Sequence, residues 1–326
     1  MERWEIARGI NRLVHTCAEV KRGEKALIIT DTQFPSHIPD LFALTVTQLG
    51  AEPILVKMVT REHNGSEPPQ AIAEAMKHVD IIFELTTVFV HHSIARQNAH
   101  KTGARYLYLG GITDELLSGP GAIDADFEAI APTVDQIANL ITHSNKIRVT
   151  ASGGTDFRAS IQGKEGRSLT GIVRSPGSFG APPDIEAGVI PVEGTGEGTI
   201  VADAYAVEIG LLSNPIRLEV QDGEVKRIEG VGKEAKSLQH LLQSIGNPRV
   251  YQVAEIGIGL NPKAKMIDNI LSAEGKEGTA HIAIGSTPAD RDVQLVQAGI
   301  HLDLVFWRPS IYLDGELIIK DGKLTI

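Results

Sequence analysis

Five ionisable residues in the second half of the chain interrupt apolar runs. His301 and Asp303 open the run HLDLVF. Residues two apart in a strand point to one face, so both side chains can reach a single ion. His281 sits in GTAHIAIG and Glu255 in AEIGIGLNP. Each is polar inside an otherwise apolar strand, which is costly unless the group is paired or coordinated. Glu186, in PPDIEAGVIPVEGTGEGTI, stands at the start of another strand. Together these imidazoles and carboxylates suit Zn²⁺, Co²⁺, Mn²⁺ or Fe²⁺. Each residue also has a plainer reading. A strand histidine is commonly a hydrogen-bonded structural residue, Glu255 fits an edge-strand carboxylate paired with Lys or Arg, and Glu186 fits a solvated loop residue. His91 and His92, in VFVHHSIARQ of the first half, read as a surface pair at a helix N-terminus.

The elements that must carry these residues change period along the chain. Lys25–Asp31, Glu52–Val59, Asp80–Thr86 and Arg105–Gly110 are short apolar runs. Helical patterns over Ser36–Leu49, Pro68–Val79 and Ser93–Thr102 separate them, and Asp124–His143 closes the series. Strands alternating with helices predict βαβ units and a parallel sheet. No strand end carries GxGxxG or GxxxxGK[ST]; the first runs into DTQFPSH, which argues against a dinucleotide or P-loop site. From Lys146 onward hairpin signals take over. Asp222-Gly223, Asp314-Gly315 and Asp321-Gly322 each sit between apolar alternations, and Asp-Gly supplies the positive φ angles of a type I′ turn. IRVTAS and FRASIQG flank Gly-Gly-Thr-Asp as a further hairpin. The expectation is an α/β N-terminal domain with a parallel sheet over 1–145. A mainly antiparallel, β-rich (α+β) C-terminal domain over 146–326 carries the metal site. Helices are expected near Lys233–Ser244 and Pro262–Ser272.

Composition narrows the classes. The chain has 326 residues, with 31 Lys+Arg against 41 Asp+Glu, a net charge of −10 that disfavours phosphate backbones and anionic lipid as partners. No apolar run approaches the ~18 residues of a membrane span, and MERWEIARG lacks a signal-peptide core. A cytoplasmic protein that binds neither nucleic acid nor membrane is expected. Cys17 is the single cysteine, so no internal disulfide forms; with Ile6, Ile10, Leu13 and Val14 it makes one helix face and reads as a buried small hydrophobe.

The stretch from Glu186 to Gly198, AEIGIGLNPKA, GTAHIAIG, HLDLVF and the closing Asp-Gly hairpins resemble the aminopeptidase T family of metallopeptidases. The resemblance implies a dinuclear metal hydrolase with an N-terminal α/β domain and a β-rich C-terminal domain. It assigns Glu186, Glu255, His281, His301 and Asp303 as metal ligands. Glu255 or Glu186 would be general base where not committed to metal. The family's tyrosine after the GTAHIAIG histidine has no counterpart in GSTPADRD, and this chain is shorter. The shorter 2,5-dihydroxypyridine 5,6-dioxygenases of the same superfamily are similar over almost the whole chain, including IRVTASGGTDFRASI and NPIRLEVQDGEVKRIEG. Their first-domain His-Ser resembles His92-Ser93 and implies His92 as the base toward a substrate hydroxyl. Their iron site maps onto His301 and Asp303, since the position of Glu255 is typically histidine there.

Two activities follow as expectations. The first is hydrolysis of an amide or peptide bond by metal-activated water, with Zn, Co or Mn. The alternative is Fe(II)-dependent ring cleavage of a hydroxylated N-heterocycle, with His281, His301 and Asp303 as the triad. Either takes a small molecule or short peptide as substrate, and both resemblances imply a homo-oligomer. A non-enzymatic ligand-binding protein would keep the fold and lose the ligands, all five of which are present.

Overall fold

The computed structural model describes residues 3–62, 64–288 and 296–326, which divide into two compact units. The first draws on Met1–Ala131 and Leu169–Asp184. The second draws on Pro132–Ser168, Ile185–Pro288 and the C-terminal segment to Ile326.

In the first unit the four apolar runs become strands β1 (Lys25–Asp31), β2 (Glu52–Met58), β3 (Ile81–Leu85) and β4 (Arg105–Tyr108). They lie in the order β2-β1-β3-β4, all parallel, with the short Phe179–Gly180 strand beside β4. Strand β3 is buried throughout and β1 is buried beyond Lys25, which explains their unbroken apolar runs. Helices His37–Gln48, Gln70–Ala75 and Ile94–Lys101 fill the intervals between strands, and Phe127–Thr142 follows. Leu27, Ile29, Met58, Ile72, Met76 and Ile82 pack together in the core. At the end of β1, buried Asp31 accepts hydrogen bonds from the amides of Gln33, Phe34 and Thr87 and from the Thr87 hydroxyl. A carboxylate thus takes the amides that a nucleotide loop would turn toward phosphate.

The second unit is built on two antiparallel sheets. Asp222-Gly223, Asp314-Gly315 and Asp321-Gly322 take positive φ at both residues and close tight hairpins of an eight-stranded sheet. The other sheet has seven strands. Four of them are β5 (Glu186–Val189), β6 (Val253–Gly259), β7 (Thr279–Gly285) and β8 (His301–Trp307). Their spatial order is β8-β7-β6-β5, with Tyr205–Ala206 beyond β8 and Arg167–Leu169 beyond β5. The helix expected near Lys233–Ser244 spans Lys233–Ile245. The one expected over Pro262–Ser272 shrinks to Ile270–Ala273. The Asn261 side-chain oxygen Oδ1 accepts from the amides of Lys263 and Ala264, and the Ser272 hydroxyl ties down the Lys265 backbone. These side-chain bonds hold a turn and a loop where apolar spacing alone suggested a helix. No helix among the described residues is long and apolar enough to cross a membrane.

At the N-terminus, Arg3–Asn11 is α-helical and Arg12–Cys17 continues as a π-helical turn. Cys17 is fully buried, and burial pushes its thiol from the ordinary 9.0 up to about 12 despite the nearby Arg174. A neutral, enclosed thiol is a poor nucleophile. Cys17 should therefore stay unreactive toward Ellman's reagent at pH 8 in folded protein and react fully once denaturant is added. Fast labelling without denaturant would contradict the buried position. The unfolded thiol ionises near 9 and the folded one only near 12, so this group makes stability fall as pH rises through that window.

Candidate metal centre

Strand register puts all five sequence candidates on one face of the seven-stranded sheet. Directly opposed residues of antiparallel strands share a face, as do residues two apart. Glu186 opposes Gly259, Gly257 opposes both Gly188 and His281, and Ala283 opposes both Glu255 and Asp303. His301 opposes Gly285. Glu186, Glu255, His281, His301 and Asp303 are therefore separated by Gly and Ala positions. The other face carries Ile256, Ile258, Ile282, Leu302, Leu304 and Phe306, all nearly or fully buried. That division is what EIGIG, HIAIG and HLDLVF record as alternation.

One irregularity is needed to achieve it. Val253 opposes Ile284, but Glu255 opposes Ala283, so the pairing shifts by one residue between them. In a regular strand Val253 and Glu255 would share a face. The shift sends Glu255 to the side that carries His281 and Asp303. Glycine makes the remaining room. A Cβ on Gly257 would lie 2.2 Å from His281 Cε1 and Nε2, and one on Gly188 would lie 3.3 Å from Glu255 Oε1.

The ligand atoms form a continuous chain. Glu255 Oε2 is 3.3 Å from His301 Nε2, which is 3.2 Å from Asp303 Oδ1. His281 Nε2 is 3.6 Å from the same Asp303 oxygen and 3.5 Å from Glu186 Oε2. Donors around a four-coordinate ion, at roughly 2.0–2.1 Å from it, stand about 3.3 Å from one another. The spacing thus matches a coordination sphere. Among the described residues, sets of three with donor atoms within 4.8 Å of one another are Glu186–Glu255–His281 and Glu255–His301–Asp303. The set His281–His301–Asp303 is not one of them. Glu186, Glu255 and Asp303 are each at most 4% exposed, so Glu186 is no solvated loop residue. Glu186 Oε2 and Asp303 Oδ1 have no hydrogen-bond partner among the described residues. Buried oxygens of this kind cost about 1–3 kcal/mol each when nothing satisfies them. A cation fits that gap.

The residues around the chain tune it. His301 Nδ1 stands 2.6 Å from the Ser286 carbonyl oxygen, which can only accept; Nδ1 therefore carries a proton, and Nε2 is the nitrogen that faces the carboxylates. Burial opposes charge on both His301 and Asp303, yet their mutual attraction wins, raising the His301 pKa and holding Asp303 far below the usual carboxylate range. Three residues of this neighbourhood lie outside the sequence candidates. Arg167 pairs with Glu255 Oε1. Glu274 lies beside Asp303 and helps hold its pKa down. Tyr205 opposes Val305 on the ligand face, and burial, then the charges of Glu274 and other acids, raise its pKa. Arg167 lies in KEGRSL and Glu274 in SAEGKEG, neither of which has a periodic signature. The part of GSTPADRD beyond Pro288 lies outside the described residues.

His92 belongs to the first unit, and its surroundings differ from a surface pair. Glu84, fully buried on β3, accepts from the Thr86 hydroxyl, the Val90 amide and the Tyr106 hydroxyl, with His91 Nδ1 3.4 Å away. His91 is only 6% exposed, its ring centroid 4.1 Å from Tyr108, 4.5 Å from Phe89 and 4.2 Å from His92. The buried carboxylate draws His91 inward, leaving His92 half-buried against it. Ser93 caps helix Ile94–Lys101, accepting from the Arg96 amide.

Comparison with known proteins places the chain. A curated relative, the 2,5-dihydroxypyridine 5,6-dioxygenase of Pseudomonas putida KT2440, is 23% identical over 265 residues, covering 78% of this chain and 73% of its own. The solved structure of 2,5-dihydroxypyridine dioxygenase from Pseudomonas putida KT2440 superposes with a TM-score of 0.86 at 18% identity, over 100% of this chain and 98% of that one. Wild-type AmpT from Thermus thermophilus superposes with a TM-score of 0.72 at 13% identity, over 99% and 100%. These structural likenesses establish the shared fold. The profile of the family described as NicX, 2,5-dihydroxypyridine 5,6-dioxygenase, matches residues 8–326, and the chain belongs to that family.

Proposed function

We propose that the centre on β5–β8 binds a divalent metal and hydrolyses an amide-type bond of a small molecule or short peptide. The observation that carries this reading is the composition of the donor sets: each joins two carboxylates to one imidazole. Such oxygen-rich sets suit Zn²⁺, Co²⁺ or Mn²⁺ in Lewis-acid work better than they suit a 2-His-1-carboxylate iron site. Glu186, Glu255, His281, His301 and Asp303 are the ligands we assign. A bound ion would supply charge to polarise a carbonyl and acidify water. The Ser286 carbonyl orients His301 for ligation. Glu255 is engaged by Arg167 and faces His301, whereas Glu186 Oε2 has no hydrogen-bond partner among the described residues. Glu186 is therefore our choice to accept the water proton, provided its second oxygen is the one that ligates.

The family match supports a second reading, Fe(II)-dependent cleavage of a hydroxylated N-heterocycle. His92 would then take the substrate hydroxyl proton, and His281, His301 and Asp303 would share one iron. Protein purified anaerobically without added metal separates the two readings. Release of an amino acid from a p-nitroanilide, with Zn, Co or Mn bound, is the expected outcome. Iron in the protein together with O₂ uptake on 2,5-dihydroxypyridine would replace hydrolysis by ring cleavage.

The ligand assignment has its own test. His301→Ala and Asp303→Ala should each strip bound metal with far-UV circular dichroism unchanged. Gly257→Ala, which replaces no ligand but crowds the His281 ring, should weaken metal binding by roughly 10–100-fold, the size of effect typical when a ligand's support is disturbed. Full metal content in the first two variants would refute the assignment.

A further inference from the structure

Two neighbouring histidines, His91 and His92, stand on the first unit beyond β3, with ring centroids 4.2 Å apart. The sequence makes them equivalent; their surroundings do not. Glu84, fully buried on β3, faces His91 with Oε2 3.4 Å from Nδ1. The same carboxylate accepts from the Thr86 hydroxyl at 2.8 Å, the Val90 amide at 2.6 Å and the Tyr106 hydroxyl at 2.7 Å. Burial opposes its charge, but the hydrogen bond and attraction from His91, with the Val90 amide and the Tyr106 hydroxyl, hold its pKa below the usual value. An ionised carboxylate only accepts, so the Nδ1 that meets it carries a proton.

Stability alone does not call for this charge, since apolar side chains of similar volume often replace a buried ion pair without loss. What the charge does is break a tie, because only one of the two imidazoles can fill the place against Glu84. The His91 ring in that place is clamped by Tyr108 at 4.1 Å, Phe89 at 4.5 Å and Phe179 at 5.6 Å. Arg96 Nε donates to the His91 carbonyl at 2.9 Å. Other charged or titratable groups of the surrounding elements are the Arg96 guanidinium, 4.6 Å from the Phe179 ring centre, Tyr106 and Tyr108 of β4, and Glu67, whose carboxylate takes the amides of Ile94 and Ala95. We propose that Glu84 is a positioning residue for this pair: its charge anchors His91 through Nδ1, and that anchor presents His92, and not His91, for proton exchange with a bound group. The proton comes from an acidic hydroxyl, whose O–H bond breaks while the electron pair stays on oxygen and His92 takes the proton. This use of His92 rests on the ring-cleavage reading above; the arrangement of the pair does not.

The test reads the arrangement without turnover. Diethyl pyrocarbonate acylates unprotonated imidazole nitrogens, and fragmentation mass spectra of the labelled full-length protein separate adjacent residues. A hydrogen bond to a charged group biases such a choice by about tenfold or more, so wild-type His92 should be labelled faster than His91 by that factor. Glu84→Gln, an uncharged isostere, should bring the two rates together. Tyr106→Phe, which removes a neutral donor and keeps the charge, should leave the wild-type ratio. A folded Glu84→Gln that retains the ratio would overturn the proposal, as would equal rates in Tyr106→Phe. If Glu84→Gln does not fold, nitrogen-15 spectra of the wild type decide. His91 should carry its proton on Nδ1, the tautomer that a free imidazole disfavours; a proton on Nε2 alone would overturn the anchor. The outcomes also separate this inference from the reading it rests on. Undiminished ring cleavage in His92→Ala with the labelling ratio intact retires His92 as proton acceptor and leaves the anchor; ring cleavage that needs His92, with no labelling ratio, does the reverse.

Discussion

Everything in the second unit answers to one constraint: five ionisable side chains are gathered on a single sheet face with little access to water. Removing one partner from a buried ion pair typically costs 3–5 kcal/mol, so each group must be matched by its neighbours. Arg167 answers Glu255, His301 answers Asp303, and the Ser286 carbonyl orients the His301 ring. Among the described residues, what stays unanswered are oxygens of Glu186 and Asp303, which face the line of imidazoles. A framework that satisfies all but the innermost acceptors is organised around a cation.

Volume is the second requirement. On a pleated sheet, cross-strand neighbours stand close together, and an imidazole over a strand excludes a side chain beneath it. Gly257 and Gly188 provide that clearance in β6 and β5, and Ala283 sits between Glu255 and Asp303. The opposite face spends the same strands on Ile, Leu and Phe. Packing energy is collected on one side while the other is kept open for chemistry.

Much of this was legible in the sequence because it depends on local alternation. The parallel strands, the Asp-Gly turns and the five polar interruptions each carry a pattern a few residues long. Arg167 and Glu274 carry none: they matter through partners 88 and 29 positions away. His91 illustrates the same limit, since only the fold shows that buried Glu84 draws it inward. The loop after Pro262 misled for another reason: side-chain bonds from Asn261 and Ser272 compete with helix formation without disturbing apolar spacing. The return of Leu169–Asp184 to the first unit is also invisible to a reading that cuts the chain once.

The register shift before Glu255 gives this centre an unusual genetic fragility. Strand β6 changes phase within itself, so the face that Glu255 occupies is decided by one residue of chain length rather than by its own codon. A single in-frame deletion at Ile256 would let the strand pair regularly, with Val253 still opposite Ile284 and Gly257 still opposite His281, and would rotate the carboxylate into the apolar layer with every ligand still encoded. Lineages carrying this scaffold can thus gain or lose an acidic donor by an insertion or deletion, a route that a residue-by-residue inventory of ligands would not reveal.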